Sequence, residues 1–253
     1  VPKPSVPWQP LTLQEWQPLY PSLKTNTLDY ASPTLLNAIS ENNFSDVVTE
    51  VAPSLYAVQL FTEEFVHKFN HEMKSLIDWI DRNAVVADAP NSMNNYGVIL
   101  SQVGYSESMY SVMKQLIKPL ARNLFPEVGG DTLSYQHSFI VEYARNRDRS
   151  LGFHVDDSDV TVNLCLGDTF SGSELYFQGR RCSLHRQTLH RPEEHIVIEH
   201  SVGTAILHAG AHRHGALGIE NGTRRNLIMW CQSEQHRSTR EDRCHPWCGE
   251  YDL

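Results

Sequence analysis

The order of hydrophobic periods along this chain predicts an α+β fold, with helices in the first half and strands after them. Between residues 62 and 124 apolar residues recur at helical spacing, and from Thr132 to about Gln232 they alternate instead. The alternating runs are short and separated by Gly, Asn, Asp and Pro, which predicts a sandwich or a small barrel.

Residues 1–52 are rich in Pro, Ser, Thr and Asn and read as an N-terminal extension that packs on the main body. "LYAVQLF" reads as a strand. Thr62 then suits a helix N-cap, with Glu63 and Glu64 in the first turn where carboxylates favour the helix dipole. Phe61, Phe65, Phe69, Met73 and Leu76 give that helix a core-facing stripe. After the loop "DAPNSMNNYG" and a short apolar run, a second helix is predicted from about Ser106 to Leu124, with Met109, Met113, Leu116, Leu120 and Leu124 on one face. Pro126, Gly129 and Gly130 stop it. Candidate strands follow at 137–144, 152–155, 159–166, 173–177, 180–185, 195–199, 204–208, 212–217 and 224–232.

Composition narrows the partners more than the function. A net charge of −9 and the lack of any long Lys/Arg run argue against nucleic acid. No apolar segment approaches the roughly 20 residues that cross a bilayer, and the start "VPKPSVPWQP" lacks the basic and apolar regions of a signal peptide. Five scattered cysteines form no disulfide framework, so a reducing compartment is expected. Cys244 and Cys248 with His245 ("RCHPWC") offer zinc donors at irregular spacing, and a polar tail is the simpler reading. The sequons at Asn43 and Asn221 decide nothing.

The chemistry concentrates in two stretches. "LGFHVDDSDVTVNLCLG" (151–167) reads as a half-buried strand with a histidine and three aspartates at its mouth. His154 and Asp156 are two apart, so on an extended segment they project to one face and can meet one metal. Asp157 and Asp159 have the other parity and read as solvated or turn-capping residues. The second stretch, "GTAILHAGAHRHGALGIENGTRRNLIMW", offers His208, His212 and His214, then Arg224 and Arg225. Two His and one carboxylate on one face of an octahedron leave three positions open, which suits Fe(II) binding a co-substrate and oxygen together. A 2-oxoglutarate chelating such an iron would present its distal carboxylate deeper in the protein, where a guanidinium can hold it by two charge-assisted hydrogen bonds. His214 and Arg224 are ten residues apart across what reads as a hairpin with an Asn-Gly turn, so they can lie on neighbouring strands. His208 has only Gly218 at that spacing. The ligand set expected is therefore His154, Asp156 and His214, with His208 and His212 as strand residues or supports of the site.

The pattern HxDxSxxTxNxxL at His154 to Leu166, Tyr143 eleven residues before the His, "FSG" at 170–172, and a late His followed ten residues on by Arg resemble the prolyl and lysyl hydroxylase branch of Fe(II)/2-oxoglutarate dioxygenases. "LYAVQLFTEEF", "SQVGY" and "LFPEVGG" are similar to segments of the procollagen lysyl hydroxylase catalytic domain, and "NSMNNYGVIL" to the 2-oxoglutarate and iron-dependent oxygenase domain-containing protein family. The lysyl hydroxylases carry His-His-Asp where this chain has His154-Val155-Asp156, and residues beyond Gln232 match none of these segments. The resemblance implies a double-stranded β-helix, a jelly-roll barrel with the metal in its mouth and N-terminal helices packed on one sheet.

It divides the chain into the extension 1–52, a dioxygenase domain 53–233 (helical part 53–131, jelly-roll core 132–233) and a C-terminal tail 234–253. It places the iron on His154, Asp156 and His214, and the distal carboxylate of 2-oxoglutarate on Arg224, with Tyr143 lining the pocket and Asn163 within reach. Iron, 2-oxoglutarate and O2 are the implied cofactors, with ascorbate as reductant. The implied reaction hydroxylates an unactivated carbon, in the lysyl or prolyl manner on a protein or peptide side chain, and releases succinate and CO2. Loops 84–95 and 186–194 are candidates for the substrate rim. The alternatives are the same chemistry on a small molecule, or a non-catalytic jelly-roll binding module with structural histidines. Cysteine usage points to an intracellular, cytoplasmic or nuclear, location, and the lysyl hydroxylase resemblance to the secretory pathway.

Overall fold

The computed structural model describes residues 12–241 and 243–251, so residues 1–11 of the predicted extension and parts of the predicted tail lie outside the described residues. Two short helices, α1 (Ser22–Thr25) and α2 (Pro33–Glu41), are followed by a hairpin of β1 (Val48–Ala52) and β2 (Leu55–Val58). β1 falls within the segment read as an extension, so that segment supplies a strand as well as packing. Its sequence, Val-Thr-Glu-Val-Ala, is mostly exposed, as befits the edge of a sheet.

The long helix α3 (Glu63–Asn83) starts as expected: the Thr62 hydroxyl accepts a hydrogen bond from the Phe65 backbone N–H at 3.3 Å. Phe61, Phe65 and Phe69 stack in sequence, with ring centroids 4.0 and 5.0 Å apart, and are buried with Met73 and Leu76. Thr62→Ala is expected to cost about 1 kcal/mol of stability, the usual loss of an N-cap, read as a lower urea midpoint with an unchanged slope. The second predicted helix is one rod of three pieces: α4 (Ser106–Val112), a wide π turn over Met113–Ile117, and α5 (Lys118–Leu124). Pro119 has no N–H for the carbonyl four residues back and its ring crowds that carbonyl, and a widened turn accommodates both.

The remaining strands are β3 (Gly97–Ile99), β4 (Tyr135–Ala144), β5 (Leu151–His154), β6 (Val160–Gly167), β7 (Phe170–Gly172), β8 (Leu175–Arg180), β9 (His195–Ile198), β10 (Ala205–Ala209), β11 (His212–Ala216) and β12 (Ile219–Gln232), with α6 (Glu234–Thr239) last. All pairings between these strands are antiparallel. They make a large sheet ordered β1-β2-β10-β6-β12-β4-β3, with β7 added on β12, and a small sheet ordered β5-β11-β8-β9. None of the described helices is long and apolar enough to cross a membrane.

Residue parity shows how the layers meet. Val160, Val162, Leu164 and Leu166 of β6, with Leu227 and Met229 of β12, join the helices in one apolar cluster. A second cluster joins Phe139, Val141, Ile206 and Ile228 of the large sheet to Leu175, Phe177 and Ala216 of the small one. Helices therefore cover one face of the large sheet and the small sheet covers the other. This corrects the reading of β6 as half-buried: all eight of its residues are buried, because the face carrying Thr161, Asn163 and Cys165 looks into the space between the sheets rather than to water.

Two further expectations are corrected. The strand foreseen at 180–185 ends at Arg180, and Ser183–His185 form a tight 3-10 turn. Gly179 (φ +76) bends β8, and the buried Arg181 guanidinium, held at 2.7 Å by both oxygens of Glu194, carries the chain out of the sheet. Asn221-Gly222 does not turn a hairpin. Gly222 (φ +77) lies within β12 opposite Phe170 of β7, where any side chain would strike the Thr169 carbonyl.

Candidate metal and co-substrate site

β5 ends at His154, and the antiparallel register sets His214 of β11 directly opposite it. The two imidazoles lie with centroids 4.2 Å apart. Asp156 follows just beyond the strand, its backbone N–H bonded to the Gly210 carbonyl at 3.0 Å. His154 Nε2 is 3.3 Å from Asp156 Oδ1 and His214 Nε2 is 3.6 Å from Oδ2, and one donor atom from each of the three residues lies within 4.8 Å of the others. Each imidazole bonds a carbonyl through Nδ1, His154 to Gly152 and His214 to His212, both at 2.9 Å. Nδ1 therefore carries the proton and Nε2 presents its lone pair to the common centre, as metal ligation requires. The Thr161 hydroxyl donates to Asp156 Oδ2 at 2.6 Å and fixes the carboxylate.

The electrostatics agree with that role. Burial alone would raise the Asp156 carboxyl, but His214, His154 and His208 around it outweigh burial and hold it well below the usual carboxylate range. Burial pushes His214 down to about 3, so its ring is neutral and able to ligate. Burial also works against charge on His154, and Asp156 more than offsets it, leaving that imidazole above its ordinary value. Two neutral-capable nitrogens and one carboxylate on one side of a cavity fit a ferrous ion with open positions facing the space beyond.

That space is a cavity of about 340 Å³ between the sheets, lined by His154, Asp156 and His214 at one part and by Tyr143, Asn163, Asn226 and Arg224 at another. Arg224 is fully buried, and among the described residues no carboxylate lies within ion-pair distance of it. Its Nε donates to Asn226 Oδ1 at 3.0 Å and its Nη1 to Ser173 Oγ at 3.1 Å and to the Ser173 carbonyl. Its Nη2 donates to His200 Nδ1 at 2.7 Å, while His200 Nε2 donates to the Thr204 carbonyl at 2.9 Å. Burial and the neighbouring guanidinium push His200 down to about 3, which keeps it a neutral acceptor. Tyr143 pairs with Arg224 across β4 and β12, and its hydroxyl, raised to about 12 by burial, accepts from Asn94 Nδ2 at 3.3 Å. Asn163 Oδ1 accepts from Asn226 Nδ2.

Residues 12–130 match the family described as the OGFOD2-like domain. The chain carries an OGFOD2-like domain. It is 40% identical over 231 residues to the 2-oxoglutarate and iron-dependent oxygenase domain-containing protein ICU11 of Arabidopsis thaliana, a match covering 88% of this chain and 58% of that protein. Among solved structures it resembles a Pseudomonas putida prolyl-4-hydroxylase, with a TM-score of 0.51 at 13% identity over 79% of this chain and 99% of that one. It equally resembles the nogalamycin-pathway carbocyclase SnoK, with a TM-score of 0.51 at 13% identity over 89% of this chain and 87% of that one. At such identity these two show the fold alone.

The family match stops before the strands that carry His154, Asp156, His214 and Arg224, so the candidate site is argued from geometry. All six predicted site residues line the one cavity. The expected route between His214 and Arg224 does not hold: β11 and β12 belong to different sheets, and the two residues face each other across the interior rather than along neighbouring strands. His208 is buried near the ligands, its Nε2 3.9 Å from Asp156 Oδ2 and without a hydrogen-bond partner among the described residues. Asp159 is buried, not solvated: it accepts from the Ser233 N–H at 2.7 Å and from Arg237 Nε at 3.1 Å, anchoring α6.

Thr161, Asn226, Ser173 and His200 are site residues that sequence reasoning passed over. Inward parity on β6 and β12 marks Thr161 and Asn226, whereas no local signal marks the other two. Thr161→Val, which keeps the shape and removes the donor to Asp156, is expected to weaken Fe(II) affinity about tenfold, measured by competition with a fluorescent chelator.

Proposed function

We propose that this chain is an Fe(II)- and 2-oxoglutarate-dependent dioxygenase that hydroxylates an unactivated carbon of a protein or peptide side chain, in the lysyl or prolyl manner. The two facing sheets are read as a double-stranded β-helix. The observation that carries the proposal is the pairing, in one cavity, of a three-donor cluster with a buried guanidinium that lacks a carboxylate among the described residues. An uncompensated buried charge is costly, and a dicarboxylic acid bound at the metal would neutralise it.

In this reading His154, Asp156 and His214 hold the iron, and Arg224 takes the distal carboxylate of 2-oxoglutarate, with Tyr143 and Asn163 shaping its berth. When bound, iron with 2-oxoglutarate supplies oxygen activation: one atom of O2 enters succinate as CO2 leaves, and the other enters a substrate C–H bond. The chain contributes fixed ligands, a neutral His214 and a shielded interior. Ser173, Asn226 and His200 hold the guanidinium in place before any ligand arrives, so little ordering remains to be done on binding. A cavity at the small end of the range for ligand sites suits a five-carbon acid together with one entering side chain, which supports a polymeric substrate.

The test incubates the purified chain with Fe(II), ascorbate, 2-oxoglutarate and a lysine- and proline-containing peptide library beside a metabolite extract. Succinate formation with a matching gain of one oxygen on a peptide is expected. A gain confined to metabolites rejects the peptide substrate, and no succinate in either arm rejects the dioxygenase.

A further inference from the structure

A second cluster of donors lies outside the cavity. Cys182 and His185, on the turn that follows β8, meet Cys244 and Cys248 of the C-terminal segment, with one ligand atom from each within 4.8 Å of the others. We propose that these four residues form a structural zinc site of the Cys3His type. This revises the sequence reading, in which His245 was the candidate histidine. His245 instead stacks on Trp247, with ring centroids 5.1 Å apart and planes inclined by 5°.

The three nitrogen–sulfur distances fit the edges of a tetrahedral site. His185 Nδ1 is 3.3 Å from Cys182 Sγ, 3.5 Å from Cys244 Sγ and 3.6 Å from Cys248 Sγ. With zinc–sulfur bonds of about 2.3 Å and zinc–nitrogen bonds of about 2.0–2.1 Å, the nitrogen–sulfur edges of a tetrahedral site come to about 3.5–3.6 Å. Hydrogen bonding does not explain the convergence. A ring nitrogen either donates one N–H or accepts one S–H, and three sulfurs surround this one. An ion between them satisfies all four at once.

The donors also carry the supports expected of ligands. The Cys182 backbone N–H points at Cys248 Sγ at 3.4 Å, which stabilises a thiolate. The two halves of the cluster are tied together: the Gly249 N–H bonds the Arg180 carbonyl at 3.1 Å, and Arg181 reaches Glu194 at 2.7 Å and Glu250 at 3.1 Å. Cys182 and Cys248 are buried, and all five cysteines of the chain are free thiols. Soft thiolates in a closed set of four select zinc in a structural rather than a catalytic role. The need is physical, because among its described residues the segment after α6 has turns but no further helix or strand, Trp247 is the residue it packs against the main apolar cluster, and Cys248 is buried. A metal clip supplies the stability that so small a core does not.

The test measures metal content of the full chain purified without added chelator, for the wild type, Cys244→Ser/Cys248→Ser and Asp156→Ala. About one zinc per chain is expected in the wild type and in Asp156→Ala, and loss in the double variant. Cobalt substituted for zinc should show thiolate-to-metal absorption and tetrahedral ligand-field bands. Because removing the buried Cys248 thiol can itself disturb folding, a third measurement uses the wild type alone: titration of thiols with a mercurial should release zinc in step with thiols blocked. Zinc retained in the double variant, zinc lost with Asp156→Ala, release unrelated to thiol blocking, or a disulfide among the four residues' cysteines would each overturn the proposal.

Discussion

Asp156→Asn is expected to reduce conversion of 2-oxoglutarate to succinate by more than about a hundredfold, since changes to groups that merely support a metal ligand already cost 10–100-fold. The carboxylate is the single anionic donor of the cluster, and both imidazoles face it, at 3.3 and 3.6 Å. Asn keeps the size and the bond from Thr161 but removes the charge that offsets a divalent cation. The measurement is succinate release at saturating Fe(II), accompanied by titration with Mn(II) as a redox-inert probe. Wild-type turnover in this variant would remove Asp156 from the ligand set.

Arg224→Gln is expected to abolish the preference for 2-oxoglutarate over 2-oxopentanoate, an acid of equal chain length without the distal carboxylate. Hydrogen bonds to charged groups contribute about 1.5–3 kcal/mol, so the wild type should prefer the dicarboxylic acid by about 10- to 150-fold. In the variant the ratio should fall toward one. Because the comparison is internal to each protein, partial loss of stability from the partners left at Ser173, Asn226 and His200 does not affect it. A ratio unchanged in Arg224→Gln would mean that the distal carboxylate lies elsewhere.

How much of this was readable from the sequence follows from how local each signal is. The cap at Thr62 and the aromatic stripe through Phe65 and Phe69 depend on neighbours within a turn or two, and both are found where they were expected. The candidate ligands His154, Asp156 and His214 carry a recognisable spacing, and the cavity gathers them. The sheet to which each strand belongs is a different matter, because alternation names the faces of a strand and not its partner. Alternation and spacing therefore put His214 and Arg224 on one hairpin, whereas they belong to opposite sheets. Likewise β6 read as half-exposed because polar residues on alternate positions look the same whether they face water or a cavity. His200 and the pairing of Cys182 and His185 with the tail involve contacts between distant parts of the chain, and nothing nearby in sequence announces them.

Strand β6 has one consequence for how this protein must assemble. Its two faces meet incompatible surroundings: an oily layer under the helices on one side and a polar chamber on the other. Sliding the strand by one residue against β10 or β12 would drive Thr161 and Asn163 into the oil and strand aliphatic groups in the chamber. Each polar group so misplaced would forfeit about 1–3 kcal/mol, so the chain proofreads its own alignment, and a correctly folded molecule arrives with its polar chamber already built.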